Sequence, residues 1–151
     1  MRRFVMVVLI IAAAAAALWL GINAISAFSS GWHVLSARYP AGPNDALSCK
    51  AGQTVDVHKT GEGVYYFKRC VCLSVDEKGI GLKLPLALRF FKPPILIPWR
   101  DVTGCTVHRW GRNRFGYEFT VRDAPVIITV PDSFGNMERL CAERNIPMSR
   151  P

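Results

Sequence analysis

Hydrophobic and polar positions along the chain follow three successive regimes. From Phe4 to Ile22 the run FVMVVLIIAAAAAALWLGI carries no charge. A helix needs about 20 such residues to cross a hydrocarbon core about 30 Å thick, so the pattern predicts a transmembrane anchor over residues 1–28. The competing reading is a cleaved signal peptide, whose apolar stretch usually covers about 7–15 residues. This run is longer, and the residues after it offer only a loose A-x-S match at Ala24 and Ser26. Length favours the uncleaved anchor.

The second regime, residues 29–52, places Trp32, Leu35 and Tyr39 at i, i+3 and i+7, one face of a short helix. Tryptophan and tyrosine favour the headgroup level, half apolar and half wet, so Trp32 and Tyr39 are expected at the membrane interface. Packing back on the following domain is the alternative. The linker PAGPND then breaks the helix.

From Gln53 the period becomes two and stays so through a domain over residues 53–151. Val55 and Val57 alternate; after the turn TGEG, Tyr65, Phe67, Val71, Leu73 and Val75 share a face, as strand residues do. The stretch IGLKLPLAL reads as one half-buried strand with Ile80, Leu82, Leu84, Leu86 and Leu88 on one side, and Pro85 argues for an edge or a bulge. Lys92-Pro93-Pro94 is a stiff connection. Beyond it, Ile95, Ile97 and Trp99 are the buried face of a further strand, again at an edge or bulge because Pro98 lacks a donor. CTVHRW, FGYEFTVRD and PVIITV complete the strands. DSFGNMERLCAERNI then predicts a helix capped by Asp132 or Ser133, with Phe134, Met137, Leu140 and Cys141 on one side. The sum is a mainly β domain of about seven antiparallel strands and a C-terminal helix, a barrel or sandwich closed by that helix.

That order, together with the block LALRFFKPPILIPWRDV, resembles the pleckstrin-homology-like superfold, including the small bacterial pleckstrin-homology-like and GRAM-like domains of membrane-anchored proteins. The resemblance covers roughly Gln53 to Ile146 and implies a non-enzymatic interaction domain. Many pleckstrin-homology domains hold phosphoinositides with a basic loop between their first two strands. Here that loop is KTGEG, one lysine and one glutamate, which departs from the pattern.

Charge adds a modest bias. Of the formal +8, Arg2, Arg3 and Arg38 belong to the anchor and its flank; 16 basic and 11 acidic residues lie beyond residue 40, a net of +5. That suits an anionic membrane surface or an acidic partner and argues against nucleic acid for a tethered domain. Arg2 and Arg3 before the apolar run favour a cytoplasmic N-terminus and an extracytoplasmic domain, the arrangement of a single-pass protein of the bacterial inner membrane.

No motif indicates catalysis: there is no G-x-S-x-G elbow, no H-E-x-x-H and no glycine-rich phosphate loop. His33, His58 and His108 are isolated, and Asp56, Glu62, Asp76, Glu77 and Asp101 read as solvated turn or strand-end carboxylates. Neither a cofactor nor a metal is implied. Five cysteines, an odd number without regular spacing, do not read as a disulfide framework. Cys70 and Cys72, two apart on a strand, share a face, so a thiol or metal pair is an alternative function, although zinc would want four ligands. The candidate contact for anionic lipid headgroups or a protein partner is the hairpin tip HRWGRNRFGY, with Arg109, Trp110, Arg112 and Arg114. Guanidinium forks suit phosphate or carboxylate groups there.

Overall fold

A computed structural model describes residues 2–42, 45, 48–109 and 115–150. The apolar run forms α1, Arg2–Ser29, a helix of 28 residues and about 42 Å at 1.5 Å per residue. It is long and apolar enough to cross a membrane, and its most apolar window is fully exposed. Its last two turns behave differently, because Asn23 and Ala27 are buried against the rest of the chain. Gly31 (φ +79°) then turns the backbone sharply, and a Cβ there would lie 2.9 Å from Val126 Cγ2 and 3.0 Å from Lys59 Cγ. Only a residue with no side chain allows this approach.

After the turn comes α2, Trp32–Arg38. Its apolar face packs inward: Trp32 and Leu35 are fully buried and Tyr39 nearly so. The Trp32 indole sits edge-on to Phe67, with centroids 5.2 Å apart. Tyr39 donates its hydroxyl hydrogen to Arg122 O at 3.1 Å, and its carbonyl accepts Leu96 N–H at 3.0 Å. The headgroup position expected for Trp32 and Tyr39 therefore gives way to the alternative. Both rings are core residues of the domain, because a face with this apolar spacing finds the open side of a sheet beside it.

The strands are β1 (Lys50–Lys59), β2 (Tyr65–Val75), β3 (Gly79–Lys83), β4 (Ile95–Pro98), β5 (Val102–Arg109), β6 (Phe115–Val121) and β7 (Val126–Pro131), followed by α3 (Met137–Glu143) and β8 (Met148–Ser149). They form one sheet in the order β4-β3-β2-β1-β7-β6-β5-β8. Two antiparallel meanders are thus joined through the β1–β7 pair. The expected class, mainly β with a C-terminal helix, is what the chain forms. Its finer detail differs: the strands number eight, β8 runs parallel to β5, and β4 and β8 remain as edges. The curled sheet is a half-barrel. Its core holds Val55, Leu73, Leu82, Phe119 and Ile128 from the strands, and Met137, Leu140 and Cys141 of α3 join the same cluster.

Two local expectations change and a third is met. The stretch IGLKLPLAL leaves the sheet after Lys83, turns through a 3-10 segment at Leu86–Leu88, and exposes Leu86. Pro85 has no N–H for the ladder, so the alternation beyond it is not used. α3 starts at Met137, after Asn136, and not at Asp132, because Asp132 Oδ1 instead accepts Gly135 N–H at 3.1 Å in a turn that glycine closes at φ +64°. Ile95 and Ile97 are buried, as their alternation implies, and Pro98 lies on an edge strand, where its missing donor costs nothing.

Candidate functional site

The junction between helix and domain is built around one lysine. Lys92, in the segment before β4, is 2% exposed. Its ammonium donates to Asn23 O and Asn23 Oδ1, both at 3.1 Å. Burial lowers the Lys92 pKa from its usual value, since a cation loses its hydration there. The neighbouring backbone is clasped as well: Trp32 Nε1 donates to Pro93 O at 2.9 Å and Ala41 N–H to Pro94 O at 3.1 Å. The end of α1 is thus part of the domain. Asn23→Leu removes one of two oxygens facing a buried cation and is expected to cost about 1–3 kcal/mol, read by urea unfolding of the full chain in detergent. The Asn23→Leu, Lys92→Met double variant should recover most of that loss, because an apolar pair of similar volume replaces the buried charge.

Toward the end of the strand order opposite β4 lies a depression of about 880 Å³ between β5, β6 and α3. Val107, Phe115, Tyr117 and Met137 supply its apolar surface, and Arg109 and Arg139 are among its charged lining. Arg139 pairs with Glu143 and Arg150 with Glu138, each at 2.9 Å. Burial, with Asp132 and Glu138 nearby, pushes the Tyr117 phenol up to about 12, so it is a neutral hydroxyl near pH 7. Of the hairpin-tip residues singled out in the sequence, Arg109 lines this depression; Trp110, Arg112 and Arg114 lie outside the described residues. Tyr117 closes that tip in the sequence and Met137 lies on the apolar side of the helix, but that they meet in one groove has no local signal, because it forms across β6 and α3.

The cysteines require a correction. Cys72 forms a disulfide with Cys49, Cα–Cα 5.3 Å, so it does not pair with Cys70 as a thiol or metal site. Folding the chain back at the TGEG turn brings residue 49 beside residue 72, a register that cysteine spacing alone does not show. Cys70 is a free thiol with a pKa raised chiefly by burial. Cys105 and Cys141 are free and buried, and they hydrogen-bond to each other, which raises the pKa of the first and lowers that of the second. Among the described residues no three His, Cys, Asp or Glu side chains converge as a metal site would require.

Asp56 is a second correction. It is no strand-end carboxylate but a buried one in the middle of β1, with Oδ2 at 3.6 Å from His58 Nδ1. Burial is the main cause of its raised pKa, partly opposed by His58. A carboxyl whose folded pKa is raised contributes stability that is complete below the unfolded value, 3.8, and is lost as pH rises through the folded value. Asp56→Asn removes that loss. The variant is expected to be at least as stable as the parent at pH 7, with a flatter stability profile above about pH 4, followed by thermal unfolding across pH.

Compared with protein-family models and with curated proteins, the chain finds no match.

Proposed function

We propose that the chain is a single-pass membrane protein whose pleckstrin-homology-like domain works, without catalysis, as an interaction module. The observation that carries this reading is the contact between Lys92 and Asn23. A soluble domain released by cleavage near Ala24–Ser26 would lose Asn23, and with it both acceptors of the Lys92 ammonium and part of the packing that covers it, at a cost in stability. Retaining α1 avoids that cost, and an exposed apolar helix of this length has its natural place in a bilayer. The order of seven strands followed by a helix supports the pleckstrin-homology-like reading, with β8 as an addition. The disulfide between Cys49 and Cys72 favours the oxidising side of the membrane for the domain, in line with Arg2 and Arg3 as cytoplasmic flanks.

The binding face in this reading is the depression between β5, β6 and α3. Its mixture of aromatic, aliphatic and charged side chains suits a segment of a protein partner better than a reaction centre. Phe115, 58% exposed, is the aromatic most available to such a partner. The test is photocross-linking in membranes from Phe115 replaced by a photoreactive phenylalanine, with exposed Lys78 replaced as control. A discrete protein adduct from position 115 alone is expected. Equal labelling from both positions, or no discrete adduct from 115, contradicts the assignment.

A further inference from the structure

Among the described residues of the domain, the segment that leaves the sheet after β3 carries the two most exposed large apolar side chains, with a third beside them. Leu86 is 78% exposed, Phe90 65% and Phe91 41%. Isolated exposed apolar residues are ordinary, but three within six positions, two of them aromatic, form a patch that calls for a partner. The next residue in the chain is Lys92, which is bonded to Asn23 on α1. The patch is therefore fixed to a known level of the helix.

That level follows from the anchor's length. Counting about 20 residues for a hydrocarbon core of about 30 Å from Phe4, the first residue after the two arginines, ends the span near Asn23. Lys92 and the loop before it then stand at the boundary between acyl chains and headgroups. On the same stretch of α1, Ile22, Ile25 and Phe28 remain exposed, so the apolar surface continues from the helix past this boundary. Beside the loop is a basic depression: Arg69, Lys83 and Arg89 line a cavity of about 290 Å³ together with Pro85 and Cys70, and among the described residues lining it none is acidic. Arg89 is held in place by donating from Nε to Leu84 O at 2.6 Å, and Arg69 stands at φ +52°, out of the regular strand conformation. Aromatic rings beside basic side chains match the layered chemistry of an anionic bilayer surface.

From these positions we infer that the 86–91 loop inserts Leu86, Phe90 and Phe91 into the bilayer interface beside the anchor, while Arg69, Lys83 and Arg89 face the phosphates of anionic lipids. This rests on the reading of α1 as a membrane span and adds a second contact to it. The domain is then held at a fixed tilt on the membrane by a helix and a wedge, leaving the β5–β6–α3 depression on the far edge of the sheet.

The experiment uses the full chain carrying Cys70→Ser, which leaves only the buried thiols Cys105 and Cys141 besides the disulfide, in vesicles of phosphatidylcholine and phosphatidylglycerol, labelled with an environment-sensitive fluorophore on one introduced cysteine at a time. The positions are Ala14→Cys in α1, Phe90→Cys in the loop and Arg139→Cys on α3. Lipids brominated high on their acyl chains act as quenchers. The inference expects blue-shifted, quenched emission at position 90 and unshifted, unquenched emission at 139. It expects the shift at 90 to shrink in the Arg69→Glu, Lys83→Glu background. Quenching by deeply brominated lipid at 14 with none at 90 overturns the wedge and leaves the anchor standing. Absence of quenching at both 14 and 90 overturns the wedge and the anchor together.

Discussion

Gly79→Ala is expected to destabilise the domain by at least about 3 kcal/mol, more than an ordinary overpacked side chain. Gly79 opens β3 and faces Pro98 of β4 in register. A Cβ placed on it would lie 1.9 Å from Ile97 O and 2.7 Å from Ile97 C. These are backbone atoms, so no side-chain rotation relieves the contact, and β4 would have to move away from the sheet. Two further bonds would be disturbed with it: Asp76 Oδ1 accepts Lys78 N–H at 2.8 Å, and Trp99 Nε1 donates to Asp76 O at 2.6 Å. Gly61→Ala is the matched control. Gly61 also has a positive φ, +83°, but nothing lies within 4 Å of its Cβ position, so about 1 kcal/mol is expected. Urea denaturation of both variants in detergent reads the difference. Equal losses would show that backbone conformation, and not the approach of β4, governs position 79.

The second large effect is removal of the disulfide. Cys49 and Cys72 are 23 positions apart, and closing a loop of that size restricts the unfolded chain by about 3 kcal/mol in the chain-entropy account. The bond also stands where the β1–β2 ladder is irregular, with register shifts between Lys50 and Gln53 and between Gln53 and Val55. Fewer regular hydrogen bonds hold the start of β1, so the covalent link has more to secure. The Cys49→Ser, Cys72→Ser variant should lose about 3 kcal/mol and become insensitive to reductant. Cys70→Ser should leave both properties nearly unchanged, because Cys70 takes no part in the bond. An equal loss in Cys70→Ser would contradict the pairing.

The sequence is most informative where one local pattern decides the outcome. The uncharged run dictates α1, the i, i+3, i+7 spacing dictates α2, and alternation at Val55, Val71 and Ile95 dictates which strand faces are buried. It is least informative where two distant segments meet. The partner of Cys72 depends on the register of a hairpin, and the positions of Trp32 and Tyr39 depend on whether a sheet lies beside them. Leu84 to Leu88 shows the same limit inside one element. The alternation continues past Pro85, yet the ladder stops because the proline cannot donate, and Leu86 ends in the open. Of the candidate contact residues at the hairpin tip, Arg109 lies on the groove between β5, β6 and α3. The junction at Lys92 is hidden for a simpler reason: a lysine between phenylalanine and proline reads as surface, and its burial is created by an asparagine 69 positions earlier.

The central claim is that α1 is retained and its end completes the domain. Intact-mass measurement of the chain recovered from washed membranes tests it most directly. The expected species keeps the segment before Asn23 and is lighter by two hydrogens than its fully reduced form. A folded species that begins after Asn23 and is recovered from the soluble fraction would contradict it.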